Sequence, residues 1–94
     1  MATTPEKKVK DKVVKVLKEL GAYYFYASTN GFGNSGVPDI VGCYNGKFFG
    51  IECKAGNNKP TALQLRNLKQ IADNGGIALV VNEDNIAEVR EKLG

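Results

Sequence analysis

The 94-residue sequence contains no histidine, and its only two cysteines are Cys43 and Cys53. The absence of histidine excludes an imidazole general base and a Ser-His triad. Two thiols without histidine partners do not complete a zinc site, and the sequence has no C-x-x-C motif. Any catalysis by this chain therefore has to rest on carboxylates, lysine and a hard metal ion.

Long apolar runs are absent as well. No apolar segment approaches the ~18–20 residues of a transmembrane helix. The first twelve residues are polar and lysine-rich, without the apolar core of a secretory signal. We therefore expect a cytoplasmic protein with no membrane partner. With 43% apolar and 24% charged residues, the composition is that of a globular chain, and its length fits a single domain over residues 1–94.

Positive charge is concentrated near the N-terminus. The whole chain has 13 basic and 10 acidic residues, a net charge of +3, and the first 20 residues alone carry six lysines against three acids. This distribution suits a polyanionic partner, and a solvated lysine-rich helix face explains it equally well.

Hydrophobic periodicity predicts seven elements in the order αβββαβα. Helices are predicted over residues 4–20, 61–73 and 83–93, the first of them capped by Thr4 with Pro5 at its first position. Strands are predicted over residues 23–27, 39–44, 47–54 and 77–81. Because the strands are flanked by helices with apolar stripes, we expect helices to cover both faces of the sheet.

A tight turn at Asn45-Gly46 fixes the register of the central hairpin. Counting outwards from this turn puts Asp39 directly opposite Glu52, with Lys54 further along the same face. Two opposed carboxylates destabilise a sheet unless something compensates them. Lys54 offsets one charge and a divalent cation would offset the pair, whereas the alternative is a solvated cluster of two acids and one base.

The same register separates the two cysteines. Cys43 and Cys53 point to opposite faces of the predicted sheet. We therefore expect both thiols to be free.

Two polar residues occur within apolar helix stripes. Glu6 falls in the stripe of the first helix and Gln64 in that of the second. Each has a structural explanation beside the functional one, because Thr3 with Glu6 and Thr61 with Gln64 have the spacing of a capping box. The residues alone leave both alternatives open.

Two segments carry a family resemblance: Gly36-Val37-Pro38-Asp39-Ile40 and Gly50-Ile51-Glu52-Cys53-Lys54. Together they resemble the P-D…(D/E)-x-K signature of restriction-endonuclease-like nucleases. The G-x-P-D loop, the I-E-x-K strand and Thr61-x-x-Gln64 resemble more closely the VRR-NUC family, which includes stand-alone phage nucleases and modules of DNA-repair enzymes. The resemblance extends over roughly residues 4–81 and implies an α/β core with a mixed sheet flanked by helices.

The resemblance also implies a metal site. By its motifs, Asp39 and Glu52 are metal ligands, together with the backbone carbonyl of Cys53. Glu6 matches the acidic residue that the family has early in the first helix, and it would bind the ion through water or hold a second one. The implied cofactor is Mg²⁺ or Mn²⁺.

The remaining roles are carried over from the same motifs. Lys54 is implied to orient or activate the attacking water, and Gln64 to support Lys54 and that water. No motif fixes the residues of the 28–38 loop that contact the substrate. We select Ser28, Asn30 and Ser35 as candidate DNA contacts.

The expected function is that of a metal-dependent DNA endonuclease. The small stand-alone form resembles enzymes that cut branched DNA such as four-way (Holliday) junctions, and a phage enzyme of this kind would act in the host cytoplasm. Cutting a symmetric junction needs two active sites, so we expect a homodimer, with Tyr23–Tyr26 either at its surface or in the core. The alternatives are a nickase or flap-type nuclease, and a catalytically silent DNA-binding module of the same fold.

Overall fold

The computed structural model of the protein describes residues 4–27 and 36–94. Its elements are α1 (Pro5–Leu20), β1 (Tyr23–Tyr26), β2 (Ile40–Tyr44), β3 (Lys47–Cys53), α2 (Ala62–Asp73), β4 (Ile77–Val81) and α3 (Ala87–Leu93). The predicted order αβββαβα and the mixed α/β sheet are confirmed. None of the helices in the described part of the chain is long and apolar enough to cross a membrane.

The last helix is shorter than predicted. It was expected to begin at Glu83, but α3 begins at Ala87. Asparagine side chains explain the difference, because Asn82 accepts the N–H of Asp84 and Asn85 accepts the N–H of Asn82. Such local bonds compete with the helix for backbone groups.

The hairpin turn forms as the sequence predicts. Asn45 has φ 53° and Gly46 has φ 84°, the two positive values of a type I′ turn. The pairs run from Tyr44 with Lys47 to Ile40 with Ile51, which confirms the predicted register. Asp39 directly precedes β2, and its position in the register is opposite Glu52.

The sheet has the strand order β1-β2-β3-β4, antiparallel except for the parallel pair β3–β4. One face is covered by α1 and α3, and the core lies there. Because β3 and β4 are parallel and β2 is antiparallel to both neighbours, one end of the sheet collects the C-terminal ends of β1, β3 and β4 and the beginning of β2. Asp39 and Glu52 lie at this end.

The other face is only partly covered, so the expectation of two covered faces is wrong for half of the sheet. The helix α2 packs on β3 and β4, and among its residues only Leu68 is buried. A helix about 10 Å across covers about two strands spaced ~4.8 Å apart. The open half of this face, formed by β1 and β2, presents the exposed rings of Tyr23 and Phe25.

Candidate active site

Glu52 is a carboxylate held inside the protein. Its side chain is only 2% exposed, and its Oε2 lies 3.3 Å from Nζ of Lys54. Oε1 is buried and has no hydrogen-bond partner among the described residues. Burial raises the pKa of Glu52 from 4.5 to about 7, and the nearby negative charge of Asp39 adds to this effect, whereas Lys54 opposes it.

Asp39 is tied to the neighbouring strand by its side chain. Its Oδ2 accepts the backbone N–H of Cys53 at 2.9 Å, and its backbone oxygen accepts the N–H of Ala27 at 3.0 Å. The β2 ladder stops at Ile40, so the carboxylate satisfies an N–H that the strand no longer reaches. This bond fixes the half-buried Asp39 carboxylate against the end of β3.

The residues around the P-D motif explain how Asp39 is positioned. Pro38 is buried against Gly50, where an added Cβ would lie 3.0 Å from the proline ring and 2.5 Å from Cδ1 of Ile71. Gly36 has a left-handed φ of 81° and lies against the backbone of Leu63. The loop that delivers Asp39 therefore packs tightly under α2.

Lys54 follows β3 and is mostly shielded from solvent. Its side chain is 14% exposed, and its backbone N–H donates to the carbonyl of Val81 at 2.9 Å. The shared face of Glu52 and Lys54, predicted from the hairpin register, is consistent with their ion pair.

Glu6 is half-buried near the start of α1. The helix is capped by Thr4, whose Oγ1 accepts the N–H of Lys7 at 3.1 Å. Glu6 is thus the second helical residue, whereas a capping box requires the third, so a box with Thr3 is not the explanation for Glu6. The charge of Glu6 also contributes to the raised pKa of Glu52, which means that the two carboxylates interact.

Gln64 forms a complete capping box with Thr61. Its Oε1 accepts the N–H of Thr61 at 2.9 Å, and its own N–H donates to Oγ1 of Thr61 at 3.2 Å. Gln64 therefore does cap the start of α2, which was the structural explanation for this residue. Its side-chain NH₂ is the group left to act elsewhere, and its predicted support of Lys54 stays a prediction.

The donor set suits a hard divalent cation. Carboxylate and carbonyl oxygens are the ligands that Mg²⁺ and Mn²⁺ prefer, and Oε1 of Glu52 is a buried oxygen that no protein donor satisfies. Within residues 4–27 and 36–94, no three acidic, histidine or cysteine side chains come together as a ready-made metal site. Glu6 accordingly does not join Asp39 and Glu52 in a preformed three-carboxylate group.

The thiol at the site is not reactive. Cys53 is fully buried, and burial raises its pKa to about 12, with the charge of Asp39 adding to the effect. Both cysteines are free, as expected from the register. Only the backbone of Cys53 is available for chemistry.

Two residues near the site were not singled out from the sequence. Lys10 lies over the ring of Tyr26 on the α1 side of the sheet, and Glu83 accepts the N–H of Gly56 at 2.7 Å. The spacing of Lys10 four residues after Glu6 was a usable signal, because such residues share a helix face. The contact of Glu83 with Gly56 joins residues that are far apart in the sequence, and no sequence pattern predicts it. The predicted DNA contacts Ser28, Asn30 and Ser35 lie outside the described residues.

No family model matches the chain, but a search of known proteins and one of solved structures both find similar proteins. A relative, "Putative nuclease p44" of Acyrthosiphon pisum secondary endosymbiont phage 1, is 31% identical over 87 residues, with 89% of each chain covered. A solved "VRR_NUC domain" superposes with a TM-score of 0.74 at 23% identity, covering 95% of this chain and 97% of its own. A "VRR_NUC domain protein" gives 0.69 at 22% identity, covering 99% and 90%.

The fold is therefore that of the VRR-NUC nucleases. With a relative above 30% identity over most of both chains, the protein belongs to the VRR-NUC nuclease family. The predicted resemblance of the chain to the VRR-NUC nucleases is confirmed.

Proposed function

We propose that the protein is a metal-dependent DNA endonuclease, formed by one nuclease domain, that hydrolyses phosphodiester bonds. The observation that carries the proposal is the buried Glu52, which keeps one oxygen unpartnered beside Lys54 and interacts with the charge of Asp39. An arrangement of this kind costs stability, and a bound cation compensates it.

The ion would be held by Asp39, Glu52 and the backbone carbonyl of Cys53. In a strand, the N–H and C=O of one residue point to the same side. The N–H of Cys53 points to Asp39, so its carbonyl is on the Asp39 side as well. When bound, Mg²⁺ or Mn²⁺ supplies charge neutralisation on the phosphate and lowers the pKa of a water molecule.

The other residues orient the reactants. The ammonium of Lys54 places a positive charge next to the attacked phosphate and the water. Its ion pair with Glu52 fixes this ammonium at the site. Glu6 acts on the ion through water, and the side-chain NH₂ of Gln64 supports Lys54 and the attacking water. The capping box holds Gln64 at the beginning of α2, next to the loop that follows Lys54.

A cleavage assay tests this proposal. Plain duplex, flap and four-way DNA are each incubated with Mg²⁺, with Mn²⁺ and with EDTA. We expect cleavage with either ion and none with EDTA, with the four-way junction preferred. Single-strand cuts in the plain duplex would make the enzyme a nickase, and preferential cutting of the flap would make it a flap-type nuclease. Binding without cleavage under every condition would identify a silent DNA-binding module and overturn the proposal.

Selectivity for branched DNA goes with a homodimer, because a symmetric junction needs two cuts. The exposed rings on the open half of the sheet support an interface there: Tyr23 is 70% and Phe25 50% exposed. Sedimentation at micromolar concentration tests this part. We expect a dimer that becomes monomeric in the double variant Tyr23→Ser, Phe25→Ser. A wild-type monomer, both with and without junction DNA, would remove the dimer from the proposal.

We further propose that the partner is DNA and that the protein acts in the host cytoplasm. Ser28, Asn30 and Ser35 remain the candidate contacts with the DNA. The net charge of +3 supports a polyanionic partner.

A further inference from the structure

Lys10 is a cation held at the site without an acidic partner. It is half-buried on α1, and its Nζ lies 5.9 Å from the centre of the Tyr26 ring, within the range of a cation–π contact. In the described part of the chain, Lys10 forms no ion pair; its neighbour Asp11 is paired with Lys7 at 3.0 Å. Its charge is therefore available to a ligand.

The partner of Lys10 is anchored beside the carboxylates. Tyr26 pairs with Ile40, the residue after Asp39, and the next N–H, that of Ala27, donates to the backbone oxygen of Asp39. The ring that holds the Lys10 ammonium is thus fixed to the segment that delivers the proposed metal ligand.

An open hollow of about 400 Å³ lies beside this contact, lined by Thr4, Glu6, Lys7, Lys10, Asp11 and Tyr26. Lys10 and Glu6 therefore line one hollow beside Tyr26, at the end of the sheet where Tyr26 pairs with the residue after Asp39.

Lys10 and Lys54 approach that end from opposite faces of the sheet. Lys54 belongs to the side of Glu52 and α2, whereas Lys10 comes from α1 on the core side. A DNA strand that crosses the end of the sheet with its scissile phosphate at Lys54 would bring a neighbouring phosphate to Lys10.

We propose that Lys10 binds a backbone phosphate next to the scissile one, and that Tyr26 positions the ammonium for this contact. The proposal rests on the nuclease function proposed above. The rival explanation is that Lys10 only compensates the carboxylate charges of the protein itself.

DNA binding in EDTA separates the two explanations, because it needs no cleavage. Fluorescence anisotropy measures the affinity of junction and duplex DNA between about 50 and about 200 mM salt. For Lys10→Gln we expect roughly tenfold weaker binding, the scale of one charge-assisted contact. The slope of log K against log salt becomes shallower by about 0.9, the value for one lost phosphate contact.

A matched control removes the same charge elsewhere. Lys47 is exposed at the hairpin turn, at the other end of β3 and about 20 Å from Cys53 at the rise of a strand. Lys47→Gln is expected to keep the wild-type slope. An unchanged slope for Lys10→Gln, or an equal loss for Lys47→Gln, would contradict the proposal and leave Lys10 as a compensating charge.

The role of Tyr26 needs its own comparison. Tyr26→Phe keeps the ring and is expected to bind DNA as the wild type does, whereas Tyr26→Leu weakens binding. In the Lys10→Gln background, Tyr26→Leu should have no further effect, because the two residues act as a unit. Additive losses would show that Tyr26 does not act through Lys10.

Cleavage by the wild type reports on the proposed function independently. A wild type that binds DNA with a Lys10-dependent slope but never cleaves would overturn the nuclease and keep the phosphate contact. If the wild type cleaves DNA and Lys10→Gln has the wild-type affinity, salt slope and KM, the nuclease function is kept and the phosphate contact of Lys10 is overturned.

Discussion

Asp39 and Cys53 are joined by a hydrogen bond that extends the sheet beyond Ile40, the first residue of β2. The Asp39 carboxylate accepts the Cys53 N–H at 2.9 Å, where a further strand residue would otherwise have donated and accepted through its backbone. A side chain thus replaces a backbone partner, and in doing so it brings a carboxylate next to the pair formed by Glu52 and Lys54. The hydrogen bond that completes this end of the β2–β3 ladder is therefore also the one that places the Asp39 carboxylate in the site.

The first prediction concerns the three residues of the signature. Asp39→Asn, Glu52→Gln and Lys54→Ala should each abolish cleavage without unfolding the protein. Asn retains an oxygen that can accept the Cys53 N–H, so the first variant isolates the loss of charge. The melting temperature of the two carboxylate variants should hold or rise, because repulsion between like charges is removed. Circular dichroism melts and the cleavage assay measure both effects.

Lys47→Ala is the control for this series, because it removes a lysine at the far end of β3. It should cleave at the wild-type rate. Wild-type turnover by any one of the three site variants would remove that residue from the catalytic set.

Much of this arrangement could be predicted from the sequence, for a local reason. Asn45-Gly46 favours one turn type, and once the turn is set, the side-chain period of two fixes every pair up to the end of the hairpin. The common face of Glu52 and Lys54 follows from that single turn. The helices could be predicted because Thr4 and Thr61 are caps with local partners.

The parts that could not be predicted depend on distant residues or on the width of an element. The exposure of Tyr23 at 70% and of Phe25 at 50% arises because one helix is too narrow to cover four strands, which a helical wheel does not reveal. The capping function of Gln64 was one of two open alternatives, and only the hydrogen bonds of the folded chain distinguish it. The contact of Lys10 with Tyr26 needs the packing of α1 on β1.

The second prediction is a pH dependence of stability in the metal-free protein. The pKa of Glu52 is raised from 4.5 to about 7, so the folded state holds a proton that the unfolded state has released over this interval. The stabilisation from protonated Glu52 is complete below pH 4.5 and is lost as the pH rises through about 7. In EDTA, the melting temperature should therefore fall between these pH values by more in the wild type than in Glu52→Gln.

Metal addition gives the complementary readout. A cation binds the deprotonated carboxylates, so Mg²⁺ or Mn²⁺ should raise the melting temperature more at pH 8 than at pH 5. In Glu52→Gln this increase should shrink. Equal pH profiles for the two proteins, together with no effect of either ion, would mean that Glu52 is neither strained nor a ligand.

The third prediction separates the two functions of Gln64. Gln64→Glu keeps an oxygen that accepts the Thr61 N–H, so the capping box is retained, but the side-chain NH₂ is lost. We expect the melting temperature to stay close to that of the wild type and cleavage to fall by roughly tenfold, the scale of a residue that supports a metal site. Gln64→Ala, which loses both groups, should reduce stability by about 1 kcal/mol as well. Unchanged cleavage by Gln64→Glu would leave Gln64 as a helix cap alone.

The last prediction is that Glu6 acts at the site through its charge. Glu6 is the second residue of α1 and is half-buried, and its charge contributes to the raised pKa of Glu52. Glu6→Gln preserves the size and hydrogen-bonding capacity of the side chain, so helix stability should change by less than about 1 kcal/mol. Cleavage should nevertheless weaken by roughly tenfold or more, as is typical when an outer partner of a metal is lost. Part of that loss should be recovered at high Mg²⁺, because a weakened site still fills at higher ion concentration. Glu88 on α3 offers a comparison, since Glu88→Gln neutralises a first-turn acid of another helix and should leave cleavage unchanged. If Glu6→Gln cleaves like the wild type throughout a Mg²⁺ titration, Glu6 contributes only the favourable interaction of an acid with the start of a helix.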